Sequence, residues 1–253
     1  MLHAPAPALL VLLLLAAVLA GAQNALAGGG SFITLPALIL SGMDARAANI
    51  TSTVALFPAQ VTTGWAGRRL VSGAEQLPFR ALVAISLVGG AVGALLLLVT
   101  PPSFFEGLLP WLVLFATGAF AWGSFGRRPA VSKPLRPAWA ATLQFAIAIY
   151  GGYFGGGIGF LMLAVLSLAR LPVRAAAATK NALAGVMNGT AVLVFLFSGE
   201  VRWLQAAIVA AGAVVGGLIG AWLLRWADER ILRIAVIAIG VLLTVALFVR
   251  AYR

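Results

Sequence analysis

The sequence predicts an all-α polytopic membrane protein that is built from two tandem repeats. Of its 253 residues, 62% are hydrophobic and only 9% are charged, and the mean hydropathy is +1.07. So little polar surface cannot cover a water-soluble fold, whereas apolar runs of about 18 residues or more are typical of membrane-spanning helices. Glycine triplets at residues 28–30 and 155–157 interrupt two of these runs at positions 127 apart. This spacing indicates an internal duplication.

The apolar segments follow the same order in each half of the chain, with one long interrupted segment and then three uninterrupted ones. They span residues 8–40 (interrupted at 23–30), 47–66, 81–100 and 108–123, and then 139–169 (interrupted at 151–159), 175–197, 203–224 and 231–249. We therefore assign residues 1–128 to the first repeat and 129–253 to the second, within one integral membrane domain.

A second glycine pattern recurs at the same spacing of 127 residues. The third segment of each half contains it, as VGGAVG at 88–93 and VGGLIG at 215–220. Small residues let membrane helices approach closely. We expect these glycines to mark helix packing, and not a binding site.

The glycine triplets, in contrast, predict a binding site. Three consecutive glycines release the chain from helical dihedrals and leave the first N–H groups of the next helix without partners. Such backbone is tolerated in a membrane where it is buried in protein or lines a watery cavity. The helix N-termini near Ser31 and Ile158 carry partial positive charge. We therefore expect an anion site where the two breaks meet.

The broken segments either cross the membrane fully or enter and leave on one side. With full crossings, 10 basic residues face the cytoplasm and 6 face outward, whereas re-entrant segments give 12 and 4. The second distribution follows the positive-inside rule better. It predicts inverted repeats, each with a glycine-broken first helix followed by three transmembrane helices, and both termini outside the cytoplasm.

Lys180 is the one charged residue well inside an apolar segment. The six acidic residues lie in connections or at segment ends: Asp44, Glu75, Glu106, Glu200, Asp228 and Glu229. An intramembrane cation without intramembrane carboxylates favours an anionic ligand, although a lysine near a segment end can also extend to the interface. The pattern AANITSTVA of the first half aligns Thr51 and Ser52 with Lys180 and Asn181.

The candidate substrate-binding residues are the polar and glycine residues at and near the two breaks. They are Asn24, Gly28, Gly29, Gly30, Ser31, Asn49, Thr51, Ser52, Tyr153, Gly155, Gly156, Gly157, Lys180 and Asn181. The chain has no cysteine and a single histidine, so we expect no transition-metal site and no cofactor. It also contains no nucleophile-elbow or P-loop pattern, and we expect no enzymatic activity.

Residues 24–58, with the motif GGGSFITLP, and residues 150–203, with the motifs YFGGGIGF and ATKNALAG, resemble the TauE/SafE family of membrane permeases. The resemblance covers nearly the whole chain. It implies a duplicated multi-helix permease that moves small anions such as sulfite or organosulfonates across the cytoplasmic membrane. The first half has no lysine equivalent to Lys180, so the site is expected to be unequal on its two sides.

We therefore expect a secondary transporter in a bacterial-type inner membrane that exports a small sulfite-like or sulfonate anion by alternating access. A passive anion channel on the same scaffold, or a transporter of another carboxylate or oxyanion, remains an alternative. The expected partners are the anionic substrate and the lipid bilayer. A coupling ion, H⁺ or Na⁺, and a homodimer stay open. The net charge of +11 orients the helices and is not read as nucleic-acid binding.

Overall fold

The structure, a computed structural model, describes residues 7–26, 29–74, 77–125, 136–223 and 229–252. Within these ranges the chain forms ten α-helices and no β-strand, apart from one isolated bridge between Ala74 and Leu77. The helices are α1 Pro7–Leu26, α2 Ser31–Leu40, α3 Ala45–Ala66, α4 Phe79–Val99, α5 Pro102–Phe125, α6 Pro137–Tyr153, α7 Ile158–Leu168, α8 Val173–Leu196, α9 Trp203–Leu223 and α10 Glu229–Ala251.

Four of the described helices are long and apolar enough to cross a membrane. The qualifying segments are Phe79–Val99, Pro102–Phe125, Trp203–Gly220 and Arg233–Ala251, in α4, α5, α9 and α10. These segments bear out the prediction of an all-α polytopic membrane protein. The helices α3 and α8 have 22 and 24 residues and carry more polar side chains, among them the buried Asn49 and Asn188.

The chain folds into two compact units, and each unit combines segments from both sides of residue 128. Unit 1 comprises Met1–Ala59, Thr100–Thr117 and Ser198–Arg253, and unit 2 comprises Gln60–Val99 and Gly118–Phe197. The division into repeats at residues 128 and 129 concerns the sequence, and it stays a prediction.

In unit 1, α1 packs against α9 with the two backbones in close approach. A Cβ on Gly216 would overlap the carbonyl of Val18, and a Cβ on Gly220 would lie 2.6 Å from the carbonyl oxygen of Ala22. Only glycine fits at such distances, because the obstructing atoms are backbone atoms that cannot rotate away. The expected packing role is confirmed for these two glycines, whereas Gly217 has only one distant neighbour, at 4.0 Å.

In unit 2, α4 packs against α6 in the same manner. A Cβ on Gly89 would lie 3.1 Å from the carbonyl oxygen of Phe145, and a Cβ on Gly93 would overlap the carbonyl of Ile149. Gly90 is equally confined by the backbone of Met187 on α8. Gly89 and Gly93 lie 127 residues before Gly216 and Gly220, and their partners on α6 lie 127 residues after the partners on α1. Both units therefore use the same packing scheme.

Both glycine-rich intervals separate a longer helix from a shorter one. In unit 2, α6 ends at Tyr153 and α7 begins at Ile158, with positive φ angles of 79° at Gly155 and 75° at Gly157. In unit 1, Gly29 has a φ of 81° before α2, and Gly28 lies outside the described residues. The helices continue further into the expected interruptions than predicted, since residues 23–26 and 151–153 are helical.

Candidate functional site

The first turn of α7 presents its backbone N–H groups without a side-chain cap. Gly157 occupies the N-cap position in a left-handed conformation, and no side chain bonds to the helix end there. Gly156 and Gly157 form the turn that leads directly into α7. This end of α7 therefore combines the partial positive charge of a helix N-terminus with donors that lack intrahelical partners.

Lys180, on α8, lies against this same turn. Its Cδ and Nζ atoms are 3.4 and 3.5 Å from the position that a Cβ of Gly159 would occupy, so the absent side chain leaves room for the lysine. Lys180 is partly buried and forms no hydrogen bond or salt bridge with another described residue. Two positive groups thus adjoin each other, an arrangement that repels cations and favours an anion.

Gln144 and Ser86 form a buried polar pair in the same unit, and neither was among the predicted site residues. The Gln144 Nε2 donates to Ser86 Oγ at 3.0 Å and lies 3.6 Å from the sulfur of Met162 on α7. Both side chains are fully buried, and Gln144 Oε1 has no partner among the described residues. The sequence does offer an indication of this pair, because Gln144 is a glutamine within an otherwise apolar segment.

In unit 1 the corresponding turn is closed by its own hydrogen bonds. The N–H groups of Phe32, Ile33 and Thr34 donate to the carbonyls of Gly29 and Gly30 at 3.0–3.1 Å. The Thr34 hydroxyl is 2.6 Å from that of Ser52, and both side chains are buried. The first turn of α2 therefore offers fewer available donors than was expected from the sequence.

Other polar side chains support the α1–α2 turn. Gln23 Nε2 donates to the carbonyl of Gly29 at 3.1 Å, and the Cβ of Asn24 lies 3.2 Å from where a Cβ of Gly30 would be. Ser31 is the first residue of α2 and is partly buried, and Asn49 is buried on α3. These side chains surround the turn and introduce no charge.

Thr51 has a structural partner and corresponds to Thr179. Its hydroxyl accepts the N–H of Arg202, at the start of α9, at 3.2 Å. The Thr179 hydroxyl accepts the N–H of Ser72 at 3.0 Å and donates to the Ser72 carbonyl at 3.1 Å. These matching bonds align Thr51 with Thr179 and therefore Ser52 with Lys180, one residue away from the alignment made on sequence.

The predicted site residues divide between the two units. The described members in unit 1 are Asn24, Gly29, Gly30, Ser31, Asn49, Thr51 and Ser52; those in unit 2 are Tyr153, Gly155, Gly156, Gly157, Lys180 and Asn181. Within unit 2, the carbonyl of Asn181 lies 3.5 Å from the Cβ position of Gly64 on α3, so this part of α8 faces α3 through its backbone. In the part of the chain that the structure describes, no group of three His, Cys, Asp or Glu residues could hold a metal ion.

Comparison with known proteins gives a family match over most of the chain. The family described as "Sulfite exporter TauE/SafE" matches residues 13–247. Among curated proteins, "Probable membrane transporter protein ORF9" of Sinorhizobium sp is 31% identical over 94% of this chain and 92% of its own length. "Probable membrane transporter protein YfcA" of Escherichia coli K12 is 27% identical over 95% and 90% of the two chains.

A further relative, a "Probable membrane transporter protein" of Haemophilus influenzae, is 27% identical over 93% of each chain. No solved structure is significantly similar. The family match and the relatives extend through α1 to α10, so they include both glycine breaks and Lys180. The chain belongs to the TauE/SafE family and is a membrane transporter.

Proposed function

We propose that this protein is a secondary permease that exports a small anion, of the sulfite or organosulfonate class, across the cytoplasmic membrane by alternating access. The single observation that carries the proposal is the position of Lys180 beside the uncapped first turn of α7. The substrate class follows the description of the family, "Sulfite exporter". The relatives' own names specify transport and no substrate.

The charges at the first turn of α7 make the state with a bound anion more favourable than the state without a ligand. A helix N-terminus behaves as about half a positive charge, and a cation beside it loses roughly 0.3–1 kcal/mol. An ammonium group that is partly removed from water and has no counter-ion loses further solvation energy. An oxyanion bound between Lys180 and the N–H groups of α7 would remove both penalties and would form charge-assisted hydrogen bonds.

The charged part of the proposed site lies in unit 2, where Lys180 would supply the charge and the turn Gly155–Gly157 with the start of α7 would supply backbone donors. The predicted candidates in unit 1 that the structure describes, among them Asn24, Ser31 and Asn49, are neutral. The hydroxyls of Thr51 and Ser52 already have partners, which makes them weaker candidates for direct substrate contact.

We also propose that the segment of α6 and α7 enters and leaves the membrane on one side. Arg46, near the start of α3, donates to the carbonyl of Thr100 at 2.8 Å and forms a salt bridge with Glu200, which lies between α8 and α9. Partners in a salt bridge lie on the same side, so an even number of crossings must separate residues 46 and 200. We take α3 and α8, with 22 and 24 residues, to cross the membrane together with α4 and α5. These helices give four crossings, and α6 with α7 then contributes none.

A second ion pair supports the same topology. Glu106, in the first turns of α5, pairs with Arg250 of α10 at 3.1 Å. The chain between them contains α5, α8, α9 and α10, again four crossings. If α6 and α7 together crossed the membrane once, Glu106 and Arg250 would lie on opposite sides.

The first broken segment is re-entrant by a similar argument. The helix α1 runs parallel to α9, because Val18 faces Gly216 and Ala22 faces Gly220. The helix α1 therefore starts on the membrane side where α9 starts. Arg46, which follows the α1–α2 hairpin, lies on that same side, so the hairpin enters and leaves there. The helix α6 runs parallel to α4, which ends on the Arg46 side. The two hairpins then enter from opposite sides, as expected of inverted repeats.

Purified protein in liposomes provides the test of the anion site. We expect thermal stabilisation by at least one member of a panel of sulfite, sulfonates, sulfate, thiosulfate and carboxylates. Lys180→Ala should weaken that binding about tenfold to hundredfold, since a hydrogen bond to a charged group contributes roughly 1.5–3 kcal/mol. Lys180→Arg should retain most of it, and Arg174→Ala, an exposed site on the same helix, is the control. Unchanged binding and transport by Lys180→Ala would contradict the proposal.

Saturable uptake against a gradient in the same liposomes would distinguish a carrier from a passive channel. Transport that never saturates and only dissipates a gradient would exclude the alternating-access carrier.

A further inference from the structure

The chain passes between unit 1 and unit 2 at four points, and a glycine or proline lies within two residues of each. Two of the points are turns, where Val99 and Thr100 precede Pro101 and where Phe197 and Ser198 precede Gly199. The other two lie inside continuous helices, after Ala59 in α3 and after Thr117 in α5. A regular helix resists bending, so a boundary between two units is not expected in the middle of a helix.

In α3 the unit boundary lies one residue after Pro58. Proline has no backbone N–H, so the carbonyl of Val54 loses its partner in the helix, and the ring crowds the preceding turn. Prolines are the commonest cause of sharp helix kinks. The side chain of Pro58 is exposed, so it is not enclosed by close packing.

In α5 the boundary lies at Gly118, which is not required for packing. A Cβ at this position would meet nothing within 4 Å. This distinguishes Gly118 from Gly89, Gly93, Gly216 and Gly220, where neighbouring atoms crowd any Cβ. A glycine in a helix that has room for a side chain has one evident physical effect, which is to make the backbone easier to deform.

We propose that Pro58 and Gly118 are hinge residues, and that the protein changes conformation by bending α3 and α5 there while the turns at Pro101 and Gly199 follow. The role of this motion in transport rests on the proposed function, whereas the bending itself does not. The moving bodies are then the two compact units, each of mixed origin, and not the two sequence repeats.

The helix α5 contains a glycine and a proline that can serve as controls. Gly107 in α5 also has nothing within 4 Å of its Cβ position, and Pro110 is also inside α5. Both lie within unit 1, away from the boundary. Substitution at Gly107 or Pro110 therefore changes helix stiffness without changing the proposed hinges.

The bending can be measured without any substrate. The chain has no cysteine, so Phe104→Cys and Phe125→Cys, at exposed positions near the two ends of α5, can carry spin labels without background. The labels would be about 31 Å apart in a straight helix at 1.5 Å per residue. We expect a broad or two-component distance distribution that Gly118→Ala narrows and Gly107→Ala leaves unchanged. One narrow distance in all three proteins would overturn the hinge in α5.

Transport then tests the role of the hinges. Pro58→Ala and Gly118→Ala should slow anion transport at least tenfold, keep the anion affinity within twofold and raise the melting temperature, because both substitutions favour a straight helix. Pro110→Ala and Gly107→Ala should leave the transport rate within twofold. Equal slowing by boundary and control variants, or wild-type rates in the boundary variants, would overturn the proposal. If the distances change as expected but no anion binds, the hinges stand and the proposed substrate class fails.

Discussion

The Nζ atom of Lys180 on α8 lies 3.5 Å from the point where Gly159 of α7 would carry a Cβ. The lysine side chain thus occupies the space that a larger residue at 159 would fill. Since Gly159 is the second residue of α7, the ammonium group is held beside the N–H groups of a helix start. This relationship leads to the first two predictions.

Gly159→Leu should displace Lys180 and lower anion affinity at least tenfold. Gly159→Ala should be tolerated, because a Cβ at 3.4 Å from the nearest lysine carbon is in ordinary van der Waals contact. Thermal-shift titrations with the best ligand of the anion panel would compare the two variants. Equal affinities in Gly159→Leu and the wild type would mean that the lysine position is not part of the site.

Lys180→Met should stabilise the ligand-free protein while abolishing stabilisation by anions. The substitution removes a cation that has no partner among the described residues and that lies beside a positive helix end, which we expect to be worth about 1 kcal/mol. Methionine keeps a similar length and flexibility. Melting temperatures with and without anion measure both effects, and a destabilised ligand-free variant would show that Lys180 has a structural role instead.

The hydrogen bond between Ser52 and Thr34 should contribute to stability and little to anion binding. Ser52→Ala and Thr34→Val each remove one buried hydroxyl, and the double variant completes a thermodynamic cycle. In membrane proteins such pairs average about 0.6 kcal/mol. We expect a coupling energy of about that size, with anion affinity unchanged within twofold. A tenfold loss of anion affinity in Ser52→Ala would indicate that Ser52 contacts the substrate.

Single cysteines should reveal the topology of the connections. Arg202→Cys, in the α8–α9 connection, is expected to react with a membrane-impermeant thiol reagent added to intact cells. Arg69→Cys, exposed in the turn after α3, should react only after the membrane is opened. The opposite pattern would reverse the proposed orientation. Labelling of both sites in intact cells would contradict the proposed topology, in which α4, α5 and α8 make three crossings between residues 69 and 202.

The helical membrane fold, the order of the apolar segments and the close packing at five of the six glycines in 88–93 and 215–220 could be predicted from the sequence. The breaks were predicted less accurately, because glycine lowers helix propensity but does not prevent a helix that packs well. Gly151 and Gly152 remain in α6, where Met187 and the backbone of Gly90 leave no room for larger residues. Segment periodicity also could not reveal that Thr51 bonds to Arg202, since 151 residues separate them.

The sequence by itself determined the membrane class, the glycine breaks and the solitary position of Lys180, since all three follow from local composition and spacing. Only the tertiary structure decided which helix the lysine contacts, which hydroxyls already have partners and which segments make up each compact unit. Those properties depend on atoms that are distant in the chain. Helix packing and hydrogen bonds brought α8 against α7, Ser52 against Thr34 and α1 against α9.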